Sequence, residues 1–150
     1  MYEILHNPTT SIYYYKQACS LRYSQILSVI KHSPYDPHMR VALGEAYYAA
    51  GEKQAAIDSF LIAESLNEEE GLASRRLGQI YEKREDEESQ MKSAYFYRRY
   101  LKKKKDLVCD DDSYYPAIFL CKYYKEKGDI DNLRKICSLL VTANDEVKNT

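Results

Sequence analysis

The sequence predicts an all-α protein built from paired helices, and three observations carry that prediction. Helix breakers are scarce, with 5 Gly and 4 Pro in 150 residues, which argues for long helices and against a many-turned β protein. The signature Leu-Gly-x-x-Tyr stands at Leu43, Gly44 and Tyr47 and returns 34 residues later at Leu77, Gly78 and Tyr81. An altered copy follows at Leu120, Cys121 and Tyr124. Self-similarity at a fixed period in this range is the mark of stacked repeats.

A period of about 34 residues with this pattern is that of the tetratricopeptide (TPR) repeat, two antiparallel helices A and B. Its logic is steric. Small residues where the helices cross let A and B approach closely, and large residues around the crossing fill the space between them and the next hairpin. The sequence accommodates about three and a half such units, and the expectation is one TPR superhelix over residues 1–150.

The units are read in chain order. Residues 11–22 carry half a unit, a lone B helix with Ser11, Tyr15 and Ala18 at the expected spacing. An eleven-residue segment, 23–33 (YSQILSVIKHS), then interrupts the register. It reads either as an extension of that helix, with Ile26, Leu27, Val29 and Ile30 as its apolar stripe, or as a foreign insert such as a translated intron. The sequence can form a helix, which favours the extension. A lone B helix would leave Tyr13, Tyr14 and Tyr15 exposed.

Residues 37–70 hold the clearest copy. Leu43, Gly44 and Tyr47 belong to helix A, Gly51 to the turn, and Ala56, Phe60 and Ala63 to helix B, while Glu68 stands where Pro is common. The copy at 71–107 needs three extra residues, assigned to the charged turn KREDEESQ, before Ser93, Tyr97 and Tyr100 fall into register. The run Lys102 to Lys105 reads as the solvated end of helix B, where cations suit the helix dipole. Asp110, Asp111 and Asp112 with Ser113 read as the cap of the next helix. The divergent copy at 114–147 has Gly128 in its turn and Leu133, Cys137 and Leu140 on helix B.

Composition limits the partners. With 22 basic and 23 acidic residues the net charge is -1, so no global attraction to nucleic acid or to an anionic membrane is expected. No apolar stretch approaches a membrane span, and the first residues lack the pattern of a secretory signal. The four cysteines have neither CxxC spacing nor a histidine at metal-ligand distance. Cys19, Cys121 and Cys137 read as small buried hydrophobes on helices and Cys109 as a linker residue. A reduced, intracellular protein is expected. The 16 tyrosines suit close-packed helices whose surfaces also meet partners.

No catalytic constellation emerges, and the expectation is a protein that is not an enzyme and carries no cofactor or metal. His6, His32 and His38 are scattered, and general acid–base work demands closer geometry. No phosphate-binding Gly-rich loop is present. The acidic cluster from Glu82 to Glu88 reads as part of a turn and lacks calcium-loop spacing.

TPR stacks bind partners along the concave face lined by A helices. The residues assigned there are His38, Val41, Glu45 and Tyr48, then Leu72, Arg75, Gln79 and Glu82, then Tyr115, Ile118, Lys122 and Lys125. Val41 with Glu45 provides no cation for a terminal carboxylate, which disfavours a chaperone-tail clamp. Glu45 suits a basic peptide.

One stretch goes beyond architecture. SIYYYKQACSLR, followed after the interruption by PYDPHMRVALGEAYYAAGEKQAAIDSF, resembles the C-terminal TPR region of the subunit 8 (cell-division-cycle protein 23) family of the anaphase-promoting complex. Leu21 and Arg22 would join Pro34, Tyr35 and Asp36 if residues 23–33 were removed. The likeness extends through SAYFYRRYL and YYPAIFLCKYYKEKGDIDNL, over about residues 11–143. The resemblance implies a non-catalytic scaffold in a cell-cycle ubiquitin ligase of nucleus and cytoplasm. Its partners would be neighbouring subunits and activator peptides with arginine-containing motifs, and Glu45 would meet the arginine. The chain lacks the N-terminal repeats with which that family dimerises, which leaves homodimerisation open. The alternatives are a generic TPR adaptor, a sister TPR subunit of the same complex, or a regulatory domain of an enzyme.

Overall fold

The computed structural model describes residues 8–104 and 111–148, and among them are helices and no strand. The helices are α1 (Pro8–His32), α2 (Pro37–Ala49), α3 (Lys53–Ser65), α4 (Leu72–Glu82), α5 (Glu87–Lys103), α6 (Asp111–Lys127) and α7 (Ile130–Lys148). The protein is therefore all-α. The chain divides into two compact units, Met1–Glu68 and Glu69–Thr150.

In the first unit α2 packs against both α1 and α3. Asp36 starts α2 by accepting hydrogen bonds from the backbone N–H of His38 at 2.9 Å and of Met39 at 3.4 Å. Pro37 follows at the first helical position, where its missing N–H costs nothing. The helix stops at Gly51, whose φ of 85° suits a residue without Cβ. The N–H of Glu52 reaches back to the Tyr47 carbonyl and that of Gly51 to Tyr48, the paired bonds of a Schellman stop. α3 begins two residues later, so the turn reverses the chain within three residues. Asn67, at φ 56°, ends α3 with the same pair of bonds from Glu68 to Ala63 and from Asn67 to Glu64.

The α2–α3 interior is the small-against-large packing that the spacing predicts. Leu43, Ala46, Ala56, Phe60 and Ala63 are buried. A Cβ placed on Gly44 would lie 2.6 Å from the Phe60 ring, closer than carbon atoms tolerate. Gly44 is what allows Phe60 to lie across the helix pair.

α1 runs unbroken through residues 23–32, which is the helical-extension reading of that segment. The stripe differs in one member. Cys19 and Ile30 are buried, and Tyr23, Ile26 and Leu27 are half-buried, whereas Val29 is 48% exposed. Spacings of three and four residues place the first five on one side. Tyr23 meets the Tyr47 ring of α2 with centroids 4.9 Å apart. Tyr13 is exposed as expected, while the side chains of Tyr14 and Tyr15 lie outside those described.

The second unit holds α4 to α7, with α4 on α5, α5 on α6 and α6 on α7. Gly78 repeats the role of Gly44, since a Cβ there would lie 2.6 Å from the Tyr97 ring. Ser93 is buried in place of the usual Ala, and its hydroxyl donates to the Gly78 carbonyl at 2.9 Å. That bond satisfies a polar atom at the tightest point of the crossing.

The charged segment between α4 and α5 corrects the sequence reading. Only Lys83 to Asp86 connect the helices, and Glu87 to Gln90 are already helical. Ala56 is the fourth residue of α3 and Ser93 the seventh of α5, so the three extra residues lengthen the start of α5 and not the turn. Asp86 caps that start by accepting from the Ser89 N–H at 2.9 Å. Glu87 and Glu88 in the first turn and Lys102 and Lys103 in the last suit the helix dipole at both ends.

Two further expectations shift. Ser113 is buried inside α6, which begins at Asp111, so it is not a cap. Residues 105–110, with Lys105, Cys109 and Asp110, lie outside the described residues. Of the three cysteines expected inside helices, Cys19 is buried, Cys121 half-buried and Cys137 exposed. On α7, where Leu133 and Leu140 pack half-buried against the interior, Ile136 next to Cys137 is buried at 7% exposure. It joins Tyr97, Tyr100, Leu101, Leu120 and Tyr124 in the core of this unit.

Candidate peptide-binding groove

The A-helix residues assigned from the sequence fall in both units. In the first, His38 is exposed, Glu45 and Tyr48 are half-buried, and Val41 is buried at 8% exposure. Val41 thus serves the packing of α2 and offers a ligand little surface. Their spacing sets these four along one side of the helix.

The second unit brings assigned residues together. Glu82, Tyr115, Ile118 and Lys122 line a cavity of about 330 Å³, together with Gln90 and Phe119. Glu82 ends α4, and the other three assigned residues sit on α6 at intervals of three and four. α4 contributes Glu82 to the lining, α5 contributes Gln90, and α6 supplies the rest. Leu72, Arg75 and Gln79 are half-buried along α4, with Gln79 accepting from the Arg76 guanidinium at 3.0 Å. Lys125 is exposed and outside the cavity lining.

The Glu82 carboxylate organises this site. Its Oε2 accepts from the Tyr97 hydroxyl at 2.6 Å and its Oε1 from the Tyr115 hydroxyl at 2.6 Å. The first bond ties α4 to α5 and the second ties α4 to α6. Burial, reinforced by the Glu82 bond, pushes the Tyr97 phenol far above its ordinary value. The bond to Glu82 is also the main cause that raises Tyr115. Both phenols stay protonated as donors, which is what a carboxylate acceptor needs. The Gln90 amide secures the end of α4 by donating to the carbonyls of Glu82 and Arg84. Phe119, half-buried beside the cavity, meets the Tyr97 ring edge-on with centroids 5.1 Å apart.

The arrangement is a mixed apolar and charged surface. It combines aromatic and aliphatic area from Tyr115, Ile118 and Phe119 with the ammonium of Lys122 and the carboxylate of Glu126 at its border. Both oxygens of Glu82 are engaged with phenols, so the acid shapes the wall. Repeat position marks Glu82 and Tyr115 but not their mutual bond, which spans 33 residues.

A second cavity of about 520 Å³ was not foreseen. Met91, Tyr95, Arg98, Tyr123 and Lys127 are among its lining residues. It lies between α5, α6 and the start of α7, away from the A-helix positions. Its residues follow no repeat spacing that marks them.

Among the described residues no group of three or more His, Cys, Asp and Glu side chains is arranged to hold a metal ion. No described helix is long and apolar enough to cross a membrane. No family model and no curated protein matches the chain in sequence.

Proposed function

We propose that the chain is a TPR protein-binding scaffold without catalytic activity, and that α4 and α6 present a peptide-binding surface. The observation that carries the proposal is the meeting of Glu82, Tyr115, Ile118 and Lys122 at one cavity. Repeat position alone marks those four residues. Repeated hairpins with a glycine at each of the first two crossings support the TPR reading. The occupant proposed is an extended peptide. Its apolar groups would rest on Tyr115, Ile118 and Phe119, and an acidic group would meet Lys122.

Within that reading, the sequence likeness to the subunit 8 family points to the anaphase-promoting complex as the assembly it serves. Affinity purification of the tagged chain followed by mass spectrometry tests the proposal. Co-purification of cullin-like and RING-type ligase subunits is the expected result. Recovery of chaperones, of unrelated assemblies or of a single enzyme would overturn the assignment to the complex. The groove is tested separately with Tyr115→Ala combined with Lys122→Ala, in which both altered residues are exposed. Partner recovery should fall about tenfold, a loss of about 1.4 kcal/mol, with helical content unchanged. Full recovery would remove these residues from the interface, as an unchanged result for Glu45→Ala with Arg75→Ala would remove those two.

A further inference from the structure

The two free thiols of the last hairpin face each other. Cys121 Sγ on α6 and Cys137 Sγ on α7 are 3.9 Å apart, and both residues are free cysteines. They hold the positions that Gly44 and Phe60 hold in α2–α3 and that Gly78 and Tyr97 hold in α4–α5. In those two pairs the glycine leaves room for a ring. Here two small side chains meet with sulfur against sulfur. A disulfide requires about 2.05 Å between the sulfurs, so they must close by less than about 2 Å.

We propose that Cys121 and Cys137 are a dithiol modification site, oxidised by a peroxide to an intramolecular disulfide that clamps α6 to α7. Cys137 is the exposed member and meets the oxidant first. Its sulfur attacks one peroxide oxygen, the O–O bond breaks, and water leaves as the sulfur becomes a sulfenic acid. Cys121 Sγ then attacks the Cys137 sulfur. The S–S bond forms, the S–O bond breaks, and the hydroxide leaves with the Cys121 proton as a second water. Two thiols and one hydrogen peroxide thus give one disulfide and two waters. Burial, with the neighbouring thiol second, pushes the Cys121 thiol up to about 11. That half-buried sulfur is a slow first target and serves as the resolving partner. A small thiol such as glutathione reverses the bond by exchange.

The clamp closes a short loop around the Gly128 stop and removes freedom from the unfolded chain. It also fixes α6, the helix that carries Tyr115, Ile118 and Lys122. The site stands on sulfur geometry alone and holds whether or not the groove binds a peptide.

The test uses the whole chain carrying Cys109→Ala, which removes a competing thiol. The protein is treated with hydrogen peroxide, quenched with N-ethylmaleimide, digested and mapped by mass spectrometry. The expected result is a linked pair of peptides containing Cys121 and Cys137 in a monomeric chain. Its melting temperature should rise by about 5 °C and return on addition of dithiothreitol. Cys137→Ser, at an exposed position, should abolish both the linked peptides and the rise. Maleimide on both sulfurs after oxidation, linkage only to Cys19 or between chains, or a linked product with an unshifted melting temperature would each overturn the proposal.

Discussion

The hairpins α4–α5 and α6–α7 lie in the same unit and share a pattern, yet their crossings are built oppositely. At the first, Gly78 faces the fully buried Tyr97, whose hydroxyl is tied to Glu82. At the second, Cys121 faces an exposed Cys137. The first joins a bare backbone to a large ring, with the buried Ser93 bonded to the Gly78 carbonyl beside it. The second joins two small groups near the surface, and its packing rests on Leu120, Tyr124 and Ile136 around the crossing. Equivalent repeat positions therefore do not carry equivalent energy. What a position contributes depends on whether another layer covers it.

The sharpest challenge to this contrast is truncation of the large residue. Tyr97→Ala should destabilise by about 3–5 kcal/mol, and Phe60→Ala in α2–α3 by a similar amount. Cys137→Ala should change stability by no more than about 0.5 kcal/mol. Urea denaturation of the three variants measures all of this, and a costly Cys137→Ala would erase the distinction.

Filling the small side of the crossing comes next. Gly78→Ala gains about 1 kcal/mol of helix propensity but drives a methyl into the Tyr97 ring, which overpacking places at about 1–3 kcal/mol. The expected net loss is about 0–2 kcal/mol by chemical denaturation. Gly44→Leu should cost about 1–3 kcal/mol by the same mechanism.

Tyr97→Phe tests the tie to Glu82 and should cost about 1 kcal/mol. Its signature is in pH. Tyr97 holds its proton more tightly when folded than unfolded. Its stabilisation is complete below the ordinary phenol value near 10 and declines as pH rises above it, because only the unfolded chain releases the proton. Melting temperature measured from pH 9 to 11 should fall more steeply for the parent than for Tyr97→Phe. Parallel slopes would mean that Tyr97, for all its burial and its bond to Glu82, holds its proton no more tightly folded than unfolded.

The smallest effect concerns the ion pair between Lys127 at the end of α6 and Glu87 at the start of α5. Both are exposed, so Lys127→Met should move the melting temperature by about 1 °C or less. A larger shift would make the surface, and not the crossing, the source of cohesion between those hairpins.

Much of the fold was legible because the repeat spacing encodes local sterics. Leu43, Gly44, Ala56 and Phe60 were assigned by position and are buried at one crossing. Gly51 and Gly128 were assigned to turns, and both have the positive φ of a helix stop. The errors came where helix length is negotiable. The three extra residues joined α5 because Glu87 and Glu88 behind Asp86 make a good helix start, which a charged string does not reveal. Val41 was assigned to an open face and is buried, since burial depends on which helix arrives from elsewhere. Half of the assigned residues on the second unit converge on a cavity, but the Tyr115–Glu82 bond joins residues of different repeats, 33 positions apart. Spacing within a repeat carries no information about it.

The crossings have a kinetic meaning as well. Ser93 bonds Gly78 across 15 residues, and Cys121 meets Cys137 across 16. Contacts this local need only short loops to close, and such topologies reach the native state quickly. The crossing contacts of a hairpin need only its own two helices, while the Tyr115–Glu82 bond must wait until α6 is also available.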